Sequence, residues 1–74
     1  MRKQRRNTEL LGKIAKRIKQ LRKEKGVSQE NFYIDTDVHI ARIEQGRVNI
    51  SVSTLQDICD YFGITIMEFF SGMK

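Results

Sequence analysis

The segment 28–47, SQENFYIDTDVHIARIEQGR, decides the fold of this chain. Its first residue, Ser28, is a favoured helix N-cap, because a serine hydroxyl can accept a hydrogen bond from a backbone N–H of the first turn. The segment therefore predicts a short helix over about 29–36, with Phe32 and Tyr33 turned inward.

The second half of this segment predicts a tight turn and another short helix. Residues 37–38 are the expected turn. Ile40 and Ile43 lie one helical turn apart and are expected on the buried face of a helix over about 39–45. Gly46 is expected to stop that helix, because glycine adopts the left-handed conformation of a helix end at little steric cost. Two short helices joined in this way form a compact unit that can present its second helix to a partner.

Apolar residues at helical spacing predict a longer helix before this segment. Thr8 is expected to be its N-cap, and Gly26 is expected to end it. Lys and Arg fill most of one face, so the helix is amphipathic and basic. The apolar positions on its other face are Leu11, Ile14, Ile18 and Leu21.

Two capping boxes predict two more helices after the segment. Ser53 with Gln56 is expected to start a helix that Gly63 ends, and Thr65 with Glu68 is expected to start a short last helix. The inner face of the first of these helices would carry Leu55, Ile58, Cys59 and Phe62, and the last helix would bear Ile66, Phe69 and Phe70. The preceding connection is expected to be an irregular loop that packs three side chains on the core, Val48, Ile50 and Val52. The fold class is thus predicted to be all-α, a compact domain of five helices.

The charge of the chain is unevenly distributed. Residues 1–25 contain eleven of the fourteen Lys and Arg residues and two of the nine acids, whereas residues 26–74 contain three cations and seven acids. A strongly cationic half on a small protein favours a polyanion such as nucleic acid as the partner. The anionic half favours binding in one particular orientation over general coating of nucleic acid.

The composition argues against several other classes of protein. The single cysteine, Cys59, excludes an internal disulfide and leaves no set of zinc ligands. The longest uncharged run, residues 48–56, is too short to cross a bilayer, and the basic start lacks the apolar stretch of a signal peptide. We therefore expect a cytoplasmic protein that uses no metal or cofactor. An enzyme is not expected either, because the sequence offers no nucleophile–base pair, metal set or phosphate-binding loop.

The first residues of the chain form a basic stretch, MRKQRRNT, at positions 1–8. We interpret it as a flexible arm in front of a single domain over residues 9–74. Two interpretations of the arm stay open. It is either a solvated terminus without a role, or a segment that lies along phosphates or enters a minor groove when it binds.

Taken together, these residues resemble the lambda-repressor-like helix-turn-helix family, of the Cro/repressor or xenobiotic-response-element type. The likeness covers roughly residues 10–71, and its stretches are LRKEKGVSQE at 21–30, RIEQGR at 42–47, STL at 53–55 and FGITIMEFF at 62–70. The helix-turn-helix itself would span about 28–46. The chain departs from the family by a loss of about three residues at the start of the third helix, which is nearly one helical turn. The buried face can stay in phase, so we expect the fold to survive with a shorter groove-reading tip.

The resemblance implies a sequence-specific, double-stranded DNA-binding regulator, and a repressor that binds an operator is the expected form. Arg42, on the exposed face of the third helix, could pair with guanine in the major groove. The other positions implied in base or phosphate contacts are Gln29, His39, Ala41, Gln45, Arg47 and Asn49. For several of them a plain solvent-exposed role remains open. Glu44 would form a structural ion pair with Arg22 of the first helix.

Four apolar residues near the end of the chain predict a homodimer interface: Met67, Phe69, Phe70 and Met73. They exceed what one short helix needs for its own core, and a spare apolar patch often marks an interface. A two-fold dimer could place two recognition helices about 34 Å apart, in successive major grooves. The alternative is that Phe69 and Phe70 simply close the core of the monomer.

Other functions also remain open. The fold could serve as a protein-interaction module or an antitoxin-type partner, with weak or partner-dependent DNA binding. A single-strand or RNA binder is less favoured, because the aromatic residues fall at inward or boundary positions of their helices: Phe32, Tyr33, Tyr61 and Phe62. Within DNA regulation, the resemblance is compatible with a phage-type repressor, a controller of a restriction-modification locus, or an antitoxin.

Overall fold

Residues 7–73, the part of the chain that the computed structural model describes, form five α-helices with short connections. The helices are α1 Thr8–Lys25, α2 Gln29–Thr36, α3 Ile40–Ile43, α4 Val52–Phe62 and α5 Ile66–Ser71. There is no strand within 7–73, and the prediction of an all-α, five-helix fold is confirmed. The predicted basic arm lies outside the described residues except for its last two positions, of which Thr8 already belongs to α1.

Several helix ends lie where the sequence predicts them. The Ser28 hydroxyl accepts from the backbone N–H of Asn31 at 3.0 Å and starts α2. At α5, Thr65 and Glu68 form both bonds of the capping box, at 3.0 and 2.8 Å. Gly26 ends α1 in the left-handed conformation with a φ of 73°. Each of these residues satisfies backbone groups that a helix end would otherwise leave without a partner.

Two predicted N-caps are wrong. The cap of α1 is Asn7, whose side chain accepts from the N–H of Leu10 at 3.0 Å, and Thr8 is the first helical residue. The cap of α4 is Ser51, which accepts from the N–H of Thr54 at 3.0 Å, and Ser53 lies inside the helix. In both places a second good capping residue lies one or two positions earlier, and cap preference alone does not choose between them.

The turn between α2 and α3 lies at the predicted position. Asp37 ends α2 in the left-handed conformation, with a φ of 63°. Aspartate tolerates this conformation better than most residues, because its short polar side chain can hydrogen-bond locally. The Thr36 hydroxyl donates to the carbonyl of Phe32 at 2.8 Å and accepts from the N–H of Val38 at 3.1 Å. These bonds hold the chain as it leaves α2 and fix the direction in which α3 starts.

The third helix is shorter than the predicted span 39–45. α3 ends at Ile43, and the chain then forms a tight turn that ends at Gly46, with a φ of 76°. Gly46 also lies against α1, where a Cβ at this position would come 3.3 Å from the Cα of Gly12. Residues 44–46, which were predicted to continue or end the helix, instead form a turn that packs closely on α1. Gly46 is required both for its conformation and for this approach.

The core lies among α1, α2, α4 and α5, and α3 covers one side of it. The largest fully buried side chains are Phe32, Phe69, Ile18, Ile40, Ile58 and Cys59. Burial raises the pKa of the Cys59 thiol, as expected for a small apolar core residue. Two inward predictions are wrong: Tyr33 is 39% exposed and Val52 is 76% exposed. Val52 points to solvent because it belongs to the first turn of α4, beyond the edge of the core.

An arginine of α1 holds the end of α5. The Nε of Arg17 donates to the carbonyl of Phe69 at 2.8 Å, and its Nη2 donates to the carbonyl of Glu68 at 3.2 Å. The guanidinium also lies 5.8 Å from the centre of the Phe69 ring. A cation at the C-terminal end of a helix satisfies its last carbonyls and interacts well with the helix dipole. This contact fixes α5 on α1.

Across residues 7–73, no helix is both long enough and apolar enough to span a lipid bilayer.

Candidate nucleic-acid interface

A buried carboxylate of the helix-turn-helix faces α1. Glu44, in the turn after α3, is 8% exposed. Its Oε2 accepts from the Nε of Arg22 at 2.8 Å, and its Oε1 accepts from the Nη2 of Arg22 at 3.0 Å. The Nε2 of Gln29 donates to the same Oε1 at 2.9 Å. Three hydrogen bonds therefore join α1, the start of α2 and the end of α3 at a single side chain.

The electrostatics of this group favour the charged form of the carboxylate. Burial acts to raise the pKa of Glu44, but the hydrogen bonds from Arg22 and Gln29 and the charge of Arg22 outweigh it and hold the pKa below its ordinary value. The hydrogen bond to Glu44 likewise raises the pKa of Arg22. Arg22 also donates to the carbonyl of Val27 at 2.9 Å, which ties it to the turn between α1 and α2.

The position of Gln29 bears on its expected contact with DNA. The resemblance implied a phosphate or base-edge contact through the side-chain amide. In the structure, one hydrogen of that amide is bound by Glu44, while Gln29 as a whole is exposed at the first position of α2. The side chain is thus held in place at the surface, and the rest of its amide can still reach a partner.

The two faces of α3 are clearly divided. Ile40 and Ile43 are buried, and Ala41 and Arg42 are exposed. His39 is the N-cap residue, exposed and without a capping hydrogen bond from its side chain. α3 thus presents three of the expected DNA-contacting side chains on one surface.

Two shallow clefts flank this exposed face, and both reach Arg42. One lies between α3 and α2 and is lined by Gln29, Glu30, Tyr33, His39, Ile40, Ala41 and Arg42. The other lies between α3 and the following loop, and its lining includes Asp37, Asn49, Ser51 and Thr54. Five of the expected contact residues are therefore brought together: Gln29, His39, Ala41, Arg42 and Asn49. Gln45 and Arg47 are exposed but line neither cleft.

One residue of this surface was missed by the sequence reasoning. Tyr33 is not turned inward but lies in the cleft beside α3, where its ring stacks on the imidazole of His39. The ring centres are 4.6 Å apart and the planes are inclined by 35°. The sequence carries no signal for this contact, because the spacing of Phe32 and Tyr33 allows either of them to face the core.

The four residues of the expected dimer patch differ in exposure. Phe69 is fully buried and closes the core of the protomer, which is the alternative expected for it. Met73 is partly buried and packs against the core. Met67 is 79% exposed and Phe70 is 39% exposed. These last two side chains form an apolar surface on α5.

No cluster of side chains within residues 7–73 is suited to hold a metal ion. The fold defines a small helical domain in which a short helix, α3, and its flanking polar residues lie at the surface, an arrangement typical of helix-turn-helix proteins.

Comparison with known proteins agrees with this description. The chain belongs to the helix-turn-helix family, whose model matches residues 18–69. It is 36% identical over 66 residues to the control protein C.MunI of Mycoplasma sp., covering 84% of this chain and 89% of that protein. It is 28% identical over 65 residues to the HTH-type transcriptional regulator DdrOP3 of Deinococcus deserti, covering 84% of this chain and 50% of that protein. No solved structure matches the chain.

These matches confirm the resemblance to repressor-type helix-turn-helix proteins of the xenobiotic-response-element class. The protein is a DNA-binding regulator and not an enzyme. The chain spans about half the length of the Deinococcus regulator.

Proposed function

We propose that the protein binds an operator in double-stranded DNA as a homodimer and acts as a repressor by occupying it. The observation that carries this proposal is the exposed face of α3, where Ala41 and Arg42 lie beside His39 and are flanked by clefts that also contain Gln29 and Asn49. A target in DNA also supports a cytoplasmic location.

Base reading falls to the side chains of α3 in this proposal. Arg42 donates two hydrogen bonds to O6 and N7 of a guanine, the commonest specific contact in the major groove. Ala41 is small enough to let the helix approach closely or to contact a thymine methyl group. His39 adds a polar group at the start of the helix.

Positioning on the phosphate backbone falls to residues on either side of α3. Gln29 lies at the N-terminal end of α2, where backbone N–H groups and the helix dipole favour a phosphate. Gln45, Arg47 and Asn49 follow α3 and can bind phosphates on the other side. Such contacts set the orientation and register of the protein without selecting a sequence.

The dimer in this proposal forms through α5. Met67 and Phe70 supply the exposed apolar surface. A two-fold axis near them gives the second protomer an identical exposed face of α3. Among the narrower roles compatible with the family, the similarity to a control protein favours a controller of its own locus, which is part of this proposal.

The experiment that tests the proposal is a selection from random DNA duplexes at near-physiological salt, with untagged protein. A pseudo-palindromic motif is expected, and the spacing of its half-sites reports the geometry of the dimer. The affinity for the recovered site should fall steeply with salt, because counterions are released when phosphates are neutralised. Recovery of no motif would refute the proposed function.

A protein-interaction module is the second candidate, and the exposed Met67 side chain favours it. In this case the apolar surface on α5 binds a different protein, and α3 has little affinity for DNA. The same selection separates the two candidates, because an interaction module yields no enriched sequence and no steep salt dependence.

A further inference from the structure

The cleft between α2 and α3 contains an aromatic pair that the proposed contacts do not explain. The Tyr33 ring stacks on the imidazole of His39, with 4.6 Å between the ring centres. Tyr33 belongs to α2, and His39 is the N-cap residue of α3 at the end of the turn. Both are exposed, so the pair adds little to the core, in contrast to the neighbouring Phe32, which is fully buried.

The stack supplies the contact that holds the His39 ring. His39 occupies the N-cap position of α3, but its side chain makes no capping hydrogen bond. The tilted Tyr33 ring is therefore the aromatic contact that packs on the imidazole. A residue of α2 thus contacts the side chain that precedes α3.

α3 is short, so in the proposed DNA complex the Tyr33–His39 pair can extend its exposed face. α3 has four residues, which corresponds to a length of about 6 Å. Only two of them, Ala41 and Arg42, are exposed. A major groove is about 12 Å wide, so a helix of this length offers a small reading surface unless neighbouring residues extend it. Tyr33 and His39 lie beside Arg42 in the same cleft and extend that surface towards α2.

We propose that Tyr33 is a specificity-determining residue, which forms with His39 an aromatic surface that contacts the methyl group of a thymine next to the base pair bound by Arg42. This proposal rests on the proposed function. Thymine carries the only methyl group on the major-groove edge of the bases, and apolar side chains recognise it by contact. The ring edges of a stacked Tyr–His pair offer such an apolar surface, and Arg42 beside them fixes which neighbouring base pair they meet.

The test repeats the duplex selection with three proteins: wild type, Tyr33→Ala and Tyr33→Phe. Tyr33→Ala removes the stack, and we expect it to lose the preference for thymine at one position of each half-site while it keeps the preference for guanine set by Arg42. Tyr33→Phe keeps the stacked ring and removes only the hydroxyl, so it should recover the wild-type motif. Thermal unfolding of all three proteins should be nearly the same, because Tyr33 lies outside the core.

Deoxyuridine in place of that thymine tests the methyl group directly. For wild type we expect about a fourfold loss of affinity, the equivalent of about 0.8 kcal/mol for one buried methyl. Tyr33→Ala should bind the thymine site and the deoxyuridine site with the same affinity. Tyr33→Phe should lose affinity like wild type.

The outcomes separate this proposal from the proposed function. If wild type yields no motif, both fail. If wild type and Tyr33→Ala yield the same motif, or lose affinity equally on deoxyuridine, only the role of Tyr33 is overturned. A loss of the thymine preference in Tyr33→Phe would also overturn it, because the hydroxyl and not the aromatic surface would then carry the selectivity.

Discussion

Arg22 of α1 and Glu44 of the turn after α3 are joined by two hydrogen bonds, of 2.8 and 3.0 Å. The pair is nearly enclosed, with 13% of the Arg22 side chain and 2% of the Glu44 side chain exposed. Because Gln29 donates to the same carboxylate, the pair fixes the positions of α1, α2 and α3 relative to one another. The proposed DNA-contacting face of α3 thus depends on a charged group that we expect never to touch DNA.

Replacing Glu44 by Ala should destabilise the fold strongly. Removal of one partner of a buried ion pair costs about 3–5 kcal/mol, because the other charge loses its compensation. In a domain of this size, a loss of that order lowers the Tm by about 10 °C or more. Thermal unfolding followed by circular dichroism measures the change. Asp57→Ala, at an exposed site on α4, is the control and should leave the Tm almost unchanged. An unaltered melting curve for Glu44→Ala would contradict the structural role of the pair.

Acid should remove the stabilisation that Glu44 provides. The pKa of Glu44 is lower in the folded protein than its ordinary value of about 4.5, so the unfolded chain binds more protons and stability rises with pH across this range. The contribution is fully present above about pH 4.5 and is lost as the pH falls towards the lowered pKa. Glu44→Gln cannot titrate at this site. The free energy of unfolding of wild type should therefore exceed that of Glu44→Gln by a constant amount near neutral pH and approach it in acid. A difference that does not depend on pH down to full protonation would refute the assignment.

The contact of Arg17 with α5 predicts that the cost of Gly72→Ala depends on the presence of Arg17, which a double-mutant cycle can measure. A Cβ at Gly72 would overlap the guanidinium of Arg17, which must then leave the carbonyls of Glu68 and Phe69. Gly72→Ala should therefore destabilise the protein by about 1–1.5 kcal/mol, because two hydrogen bonds of about 1 kcal/mol each are lost and alanine offsets about 0.4–1 kcal/mol through the unfolded chain.

In an Arg17→Ala background the same Gly72→Ala change should be neutral or stabilising by about 0.4–1 kcal/mol. The backbone at Gly72 has a φ of −86°, which alanine adopts easily, and alanine reduces the entropy of the unfolded chain. Urea unfolding of the four proteins measures both legs of the cycle. Equal effects of Gly72→Ala in both backgrounds would show that Arg17 is not the group in contact.

The predictions from sequence succeeded where one strong local pattern decides the outcome. Two such predictions were confirmed: the capping box of Thr65 and Glu68, and the helix end at Gly26. Each depends on a few residue types at fixed positions. The start of α4 was wrong because Ser51 and Ser53 are equally good caps, and only packing of the whole helix chooses between them.

Local sequence also does not predict which of two adjacent aromatic residues is buried. Phe32 and Tyr33 occupy neighbouring positions of α2, and a helix turns by about 100° per residue, so only one of them can point to the centre of the core. The fold buries Phe32 against Tyr61 and Phe62, and this packing leaves Tyr33 facing α3. That choice depends on α4, which is distant in sequence, and it creates the stack with His39 that no local pattern indicates.

Arg42→Ala should alter sequence preference without affecting the fold. Arg42 is exposed on α3, so its removal leaves the core intact, but the loss of a bidentate contact with guanine should cost about 1–3 kcal/mol on the preferred site and relax one base position. Fluorescence anisotropy with the selected operator and with single-base variants measures both effects.

Arg47→Ala is the matched control for Arg42→Ala, since it removes the same charge from an exposed position after α3. As a phosphate contact, Arg47 should weaken binding by a similar factor on all sequences, and its loss should reduce the slope of log K against log salt concentration by about 1. If the two variants show the same pattern of base preference, Arg42 does not read a base.

Met67→Asp should convert the proposed homodimer into a folded monomer. Met67 is 79% exposed in the protomer, so aspartate at this position meets water in the monomer but would place a charge within an apolar interface in the dimer. Ile34→Asp, at a residue of α2 that is 68% exposed, makes the same kind of change away from α5 and should leave the dimer intact. Sedimentation equilibrium without DNA measures the mass, and circular dichroism verifies the fold. Phe69→Ala is expected to behave differently, because it opens a cavity in the core and should cost about 3–5 kcal/mol in stability. If Met67→Asp remains dimeric, or if Ile34→Asp is the variant that becomes monomeric, the interface does not lie on α5.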